Sequence, residues 1–211
     1  HIQTQFTDIT GKPIIHPDYF NVQRQIDASL ERFAADRTGL PDFALESAGG
    51  TVIATRCTRT YTGGAALFSL FGIPLVRLSN SPRTILHPSN NAGDCWPFHG
   101  SSGQVVIRLS DPIVINAVSL EHLPRVLART GRSDSAPKDF LIKGLASEVD
   151  EEGVVLGNFT YNIDGPSIQT YSIKDQSKTW QFVELAILSN HGHPLYTCVY
   201  RLRVHGKLGS S

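Results

Sequence analysis

His191-Gly192-His193 sets two imidazoles one residue apart, as a pair of metal ligands can be. Gly and Pro surround them and no third ligand lies near, so zinc is not expected there. Glu121 and His122 are neighbours in a strand-like stretch, where adjacent side chains point to opposite faces, so they form no acid–base pair by themselves. Ser133, Asp134, Ser135 and Asp139 gather near one loop without the Gly-x-Ser-x-Gly turn that presents a nucleophile. Gly100-Ser101-Ser102-Gly103 lacks the Lys and the following helix of a phosphate-binding loop. An enzyme is not expected. The loop 87–95 does concentrate oxygen donors: Ser89, Asn90, Asn91, Asp94 and several carbonyls. It could wrap a hard cation, although a plain solvated turn has the same composition.

Three cysteines, Cys57, Cys95 and Cys198, fit no zinc spacing, which needs at least one close pair. Their odd number points to one bridge and one thiol left over. If Cys95 and Cys198 pair, they close a loop of about 100 residues, which the chain-entropy picture values at roughly 4–5 kcal/mol. Three reduced, buried thiols of a cytosolic protein remain the alternative. Asn158-Phe159-Thr160 is a glycosylation sequon and hints at a secretory-pathway compartment.

The elements that must position these residues follow from composition and period. The chain has 211 residues, 40% hydrophobic and 18% charged, which is one large domain, or one domain plus a short appendage, with a sizeable core and not a disordered polyelectrolyte. Lys+Arg and Asp+Glu balance at 19 each, so no general attraction to nucleic acid or anionic membrane is expected. No apolar stretch is long enough to span a bilayer. The chain opens on His1 and contains no methionine, so it is expected to be part of a longer protein, with any signal or anchor outside it. Residues 1–17 receive no assignment. Residues 18–38 read as one helix, a stalk end or an autoinhibitory helix folded back on its own domain, with Asp18 as candidate N-cap, its stripe Phe20, Gln23, Ile26, Leu30 and Phe33, and Gly39 and Pro41 beyond its end.

From 39 to 211 the period shortens. Runs rich in Val, Ile, Thr and Tyr at 51–56, 84–87, 104–110, 113–121, 139–145, 156–163, 168–174, 180–188 and 195–205 alternate with Gly, Pro, Asn and Ser clusters. The pattern predicts an all-β, antiparallel β-sandwich with an N-terminal helical extension. In the last run, Tyr196, Cys198, Tyr200, Leu202 and Val204 share one face. Residues 58–78 differ, with Gly63-Gly64 and Gly72 between Tyr61, Leu67, Phe68, Leu70, Phe71, Ile73, Leu75 and Val76. An ordinary buried hairpin fits them, and so does an apolar flap hinged on glycines.

A set of short motifs then carries a resemblance. They are Ala44-Leu45-Glu46-Ser47 with Gly49-Gly50, Thr55-Arg56-Cys57, Ser69-Leu70-Phe71-Gly72-Ile73-Pro74-Leu75, Ser81-Pro82-Arg83, Cys95-Trp96, Leu120-Glu121-His122, Ser135-Ala136-Pro137-Lys138-Asp139-Phe140, Phe159-Thr160-Tyr161 and Tyr196-Thr197-Cys198. In this order, from about 36 to 206, they resemble the SUN domain, the luminal half of the LINC bridge across the nuclear envelope. The resemblance implies a homotrimer on a coiled-coil stalk, anchored in the inner nuclear membrane outside this fragment. Its sandwich would lie in the perinuclear lumen and bind the C-terminal tail of KASH proteins. The function implied is a tether for nuclear positioning and anchorage, with no catalytic cofactor and no nucleic acid.

Residue by residue, the flap at about 58–78 corresponds to a mobile KASH lid holding Tyr61, Leu67, Leu70, Phe71, Ile73 and Leu75. The tail adds to it as a strand. The tail carboxylate enters a pocket of His122, Ser135 and Tyr200, and Cys57 forms a disulfide with a KASH cysteine. Cys95 and Cys198 pair and staple a cation loop at about 84–95. There K+ or Na+ would sit near Thr84, His87, Ser89 and Asp94. The sequence departs from the family at Arg59, where an acid is usual, at Gly63-Gly64 and Val76 in the lid, and at His87 and Ser89 in the loop. A secreted discoidin-like or lectin-like sandwich that binds a glycan is the rival from another class. The two Trp residues do not form an obvious glycan platform.

Overall fold

The computed structural model describes residues 19–63, 68–70, 73–76, 80–88, 91–127 and 133–209. It divides the chain into two compact units, the first ending at Leu40 and the second running from Pro41 onward. In the first unit, helix α1 spans Tyr19–Ala34. Its apolar residues Phe20, Val22, Ile26, Leu30 and Phe33 are all exposed, the last at 70%.

The second unit is an antiparallel β-sandwich built on one long strand. Its strands are β1 (Thr51–Ala54), β2 (Phe68–Leu70), β3 (Ile73–Val76), β4 (Trp96–His99), β5 (Gly103–Glu121), β6 (Asp139–Leu145), β7 (Val154–Thr160), β8 (Ile168–Ser172), β9 (Trp180–Ile187), β10 (Tyr196–Val199) and β11 (Arg201–Leu208). The first half of β5 pairs with β1 and β9, and β6 and β7 continue that layer outward. Its second half pairs with β11 and β8. The register slips between Arg108 and Ile113, so the strand passes from one layer to the other at a bend. Asp111-Pro112 lies there, which is why the sequence reads as two runs, 104–110 and 113–121, where the chain makes one strand.

Alternation along the strands sends Val105, Ile107, Leu109, Phe140, Ile142, Val183, Leu185, Leu202 and Val204 into one core with Trp96 and Phe98. Two expectations are corrected. Residues 84–87 form no strand, because Pro82–Leu86 is a 3-10 helix with proline in its first turn, where a missing N–H costs nothing. The run 195–205 is two strands, since the chain leaves β4 and joins β5 at Tyr200.

Charge is buried with its counter-charge. Arg203 Nη1 lies 2.7 Å from Glu121 Oε2, with neither side chain more than 1% exposed. Arg201 Nη2 donates to Asp42 Oδ2 at 3.0 Å, and Asp42 Oδ1 takes the N–H groups of Ala44 and Val204. Phe43 N–H donates to Val204 O, so the entry to the domain is sewn to β11. Removing one member of such a pair strands the other charge away from water. Glu121→Ala is expected to cost about 3–5 kcal/mol in urea unfolding. A loss below about 1 kcal/mol would show that the pair does not hold the two strands.

Candidate functional site

The predicted pocket residues arise from three separate elements. His122 follows the end of β5, Tyr200 is the hinge between β10 and β11, and Ser135 lies in the turn before β6. A disulfide joins Cys95 to Cys198, with Cα atoms 5.7 Å apart. Cys95, Leu123, Cys198 and Tyr200 form their own small buried cluster with Tyr196 against it. The Cys198 N–H donates to Ser135 O at 2.8 Å, which sets Ser135 beside the bridge. The His122 and Tyr200 rings meet edge to face, with centroids 4.9 Å apart. The structure thus brings His122 and Tyr200 into contact and ties Ser135 to the same strand through its backbone.

Polarity separates their roles. Burial raises the Tyr200 phenol, so its hydroxyl keeps its proton, while its oxygen accepts the Gly93 N–H at 3.3 Å. His122 is 5% exposed, and burial drops its imidazole to about 4, so it is neutral near pH 7. Its Nδ1 lies 3.2 Å from Leu123 O, a group that can only accept, so Nδ1 carries the hydrogen. Nε2 is then an acceptor, buried and without a partner. His122 therefore offers a lone pair at Nε2, next to the protonated hydroxyl of Tyr200.

His122 also opens into a cleft of about 310 Å³ with Pro124, Tyr161, Ile163, Asp164 and Ser167 on its walls. Tyr161 donates its hydroxyl to Ser167 O at 2.9 Å, and burial pushes that phenol up to about 12. Sequence reasoning missed this far wall. Its only signal was the Phe159-Thr160-Tyr161 motif leading into the Asn162-to-Pro166 turn.

The loop next to this cluster is held by many small bonds. Asn80 Nδ2 donates to Gly93 O at 2.7 Å and to Cys95 O at 2.9 Å. Asn91 Nδ2 donates to Asp94 Oδ2 at 3.1 Å. Thr84 O accepts the His87 N–H, closing the 3-10 helix. His87 Nε2 is 2.5 Å from Glu46 Oε2, and Arg83 Nε is 2.6 Å from Oε1 of the same carboxylate. Arg83 first, then His87, hold Glu46 below the ordinary carboxylate range. His87 Nε2 is therefore held by Glu46, and Asp94 shares a carboxylate oxygen with Asn91. Ser89 lies outside the described residues. Among the described residues no three of His, Cys, Asp and Glu gather as a metal site. His191 Nε2 is occupied by Tyr161 O, and His193 Nδ1 accepts the N–H of Leu195 and Tyr196.

The predicted lid divides in two. Residues 58–61 are bound down: Thr60 bridges Phe98, Tyr61 N–H donates to Pro97 O, and Trp96 Nε1 donates to Thr60 Oγ1. Tyr61 stacks on Tyr196 with ring centroids 4.8 Å apart. Beyond it β2 and β3 pair with each other as a two-stranded sheet that places Leu70, Ile73 and Leu75 on its backbone. Leu67 and Phe71 lie outside the described residues. Cys57 is a free, exposed thiol just before this root. Arg56, at φ 47°, reaches inward to Glu184 and Asp150 O.

Fold and site define a disulfide-stapled antiparallel sandwich whose candidate site lies on the loops around the staple. Its likeness to solved structures reaches a TM-score of 0.56 with the family 32 carbohydrate-binding module of Streptococcus pneumoniae EndoD, at 18% identity, covering 79% of this chain and 100% of that one. Allantoicase from Saccharomyces cerevisiae is similar at a TM-score of 0.53 and 18% identity, covering 80% of this chain and 43% of that one. At such identities the fold alone is shared. The Sad1 / UNC-like C-terminal family matches residues 75–208, and the chain belongs to that family, the SUN-domain proteins. Human SUN domain-containing protein 1 is 50% identical over 184 residues, which is 86% of this chain and 23% of that protein. Mouse SUN domain-containing protein 2 is 50% identical over 187 residues, 88% of this chain and 26% of that protein. The Caenorhabditis elegans nuclear migration and anchoring protein unc-84 is 36% identical over 200 residues, 92% of this chain and 18% of that protein. The chain thus spans about a quarter or less of each of these three relatives.

His122 gives a pH signature with a definite sign. The unfolded chain takes a proton at this ring as pH falls below 6.5, whereas the folded chain takes it only near 4. Stability therefore falls as pH drops through that window, by about 2 kcal/mol at pH 5 from this group. Urea unfolding at pH 7 and pH 5 should show His122→Gln losing less stability than wild type over that interval, by up to this amount. Equal losses would contradict a neutral, buried His122.

Proposed function

We propose that this chain is the luminal, KASH-binding end of a LINC-complex tether at the inner nuclear membrane, facing the perinuclear lumen. It links nucleus to cytoskeleton for nuclear positioning and anchorage, without a catalytic step. The observation that carries the reading is the family membership together with its residue-level fit: His122, Ser135 and Tyr200 all border the Cys95–Cys198 staple. The nuclear migration and anchoring name of one relative supports the same direction.

In this reading the C-terminal carboxylate of a KASH tail receives hydrogen bonds from the Ser135 and Tyr200 hydroxyls. His122 Nε2 accepts an N–H of the same tail, and the β2–β3 hairpin pairs with the tail as an added strand. Cys57, exposed at the lid root, bonds to a cysteine of the partner. The 84–95 loop holds K+ or Na+ on Asp94 and backbone oxygens. The exposed stripe of α1 packs against two other copies in a homotrimer.

A hydrogen bond to a charged group contributes about 1.5–3 kcal/mol. Tyr200→Phe keeps the ring but loses the donor, and is expected to weaken a free-acid tail about 10-fold or more in isothermal titration. The C-terminal amide of that tail should bind wild type weakly. Equal binding of acid and amide, or an unchanged affinity for Tyr200→Phe, would refute the carboxylate pocket.

A further inference from the structure

We propose that Asn158 carries an N-linked glycan, and that this glycan shields an otherwise unguarded sheet edge. Asn158-Phe159-Thr160 satisfies the acceptor pattern, with Thr two residues on and no proline between or directly after. The fold leaves the acceptor open. In register, Asn158 stands opposite Leu141, while the flanking pairs Phe140–Phe159 and Ile142–Gly157 face the core. Asn158 thus points outward, and it is exposed. Thr160 shares that outward face and donates to Asp139 Oδ1 at 2.8 Å.

The second observation concerns the edge. Among the described strands β7 ends its layer and pairs only with β6. Open edges are ordinarily blunted by charged side chains or proline. The strand Val154-Val155-Leu156-Gly157-Asn158-Phe159-Thr160 contains neither, and Val154 and Val155 are 42% and 55% exposed. A neutral, β-branched open edge of this kind invites a second copy to add a strand. A bulky hydrophilic chain on Asn158 blocks that approach. It also keeps this face of the sandwich out of any subunit or partner contact.

The third observation is the compartment. A disulfide between residues 103 apart in sequence belongs to an oxidising space, which is where lipid-linked oligosaccharide is available. The proposal rests on the luminal reading above. In the transfer, Nδ2 of Asn158 displaces the lipid pyrophosphate from the anomeric carbon of the donor sugar. A C–N bond forms, the C–O bond to phosphate breaks, and one amide proton is lost, with no change of oxidation state.

The test uses the full-length protein expressed in animal cells. Its Asn158 peptide is read by mass spectrometry before and after a peptide N-glycosidase, which converts a glycan-bearing Asn to Asp. Conversion at Asn158 is expected, together with a retarded gel band that the enzyme collapses and that Asn158→Gln lacks. Asn158→Gln should also show a larger high-mass fraction in light scattering, reversed by adding Val155→Lys. An unmodified Asn158 in protein whose Cys95 and Cys198 are bridged would overturn the glycan alone. An unmodified Asn158 with both thiols free would overturn the luminal reading and the glycan with it. A fully glycosylated wild type with no assembly difference in Asn158→Gln would overturn the shielding role.

Discussion

The covalent link between Cys95 and Cys198 is the constraint on which the candidate site depends. It fastens the end of the 87–95 loop to β10 just before the chain switches at Tyr200 from pairing with β4 to pairing with β5. Three consequences follow from that position. The Gly93 N–H comes to rest on the Tyr200 hydroxyl. The Ser135 carbonyl takes the Cys198 N–H, so the 133–137 turn shares the anchor. Tyr200 then presses its ring against His122. Without the bridge, the loop's own bonds are a handful of exposed or half-buried amide contacts, each worth about 1 kcal/mol.

Polarity across this cluster is set by burial more than by charge. No salt bridge touches His122, Ser135 or Tyr200 among the described contacts. Exclusion of water keeps the imidazole neutral and the phenol protonated, which sets one acceptor nitrogen beside one hydroxyl donor. An anion held by neutral donors avoids the desolvation cost of a buried Arg. The buried charged pairs described above involve residues of β5, β9 and β11, Glu121–Arg203, Arg56–Glu184 and Asp42–Arg201, and fasten other parts of the fold.

Much of this was legible in the sequence, and the failures have physical reasons. Strand β6 was read to the residue, because turn formers bound a run of alternating apolar side chains on both sides. Strand β4 was missed because Pro97 sits inside it, and proline argues against a central strand; here it lies in a two-stranded sheet where its missing N–H is tolerated. The break at Tyr200 was hidden because Tyr196, Cys198, Tyr200, Leu202 and Val204 read as one alternating face. In the fold Val199 instead joins the main core with Leu202 and Val204, and Cys198 and Tyr200 pack in the smaller cluster. The family pattern supplied the pocket residues, but periodicity could not tell that His122 would be desolvated or which of its nitrogens would carry the hydrogen. That depends on Leu123 O and on the walls from Tyr161 and Ser167, brought in from distant parts of the chain.

The most direct measurement is tail binding by the domain with and without its staple. Wild type and the Cys95→Ser/Cys198→Ser double variant would be titrated with one free-acid KASH tail, with far-UV circular dichroism checking that the sandwich persists. If the bridge preorganises the site, the variant stays folded and loses about 10-fold or more in affinity, the equivalent of one charged hydrogen bond. A folded variant that binds the tail as tightly as wild type would contradict the account.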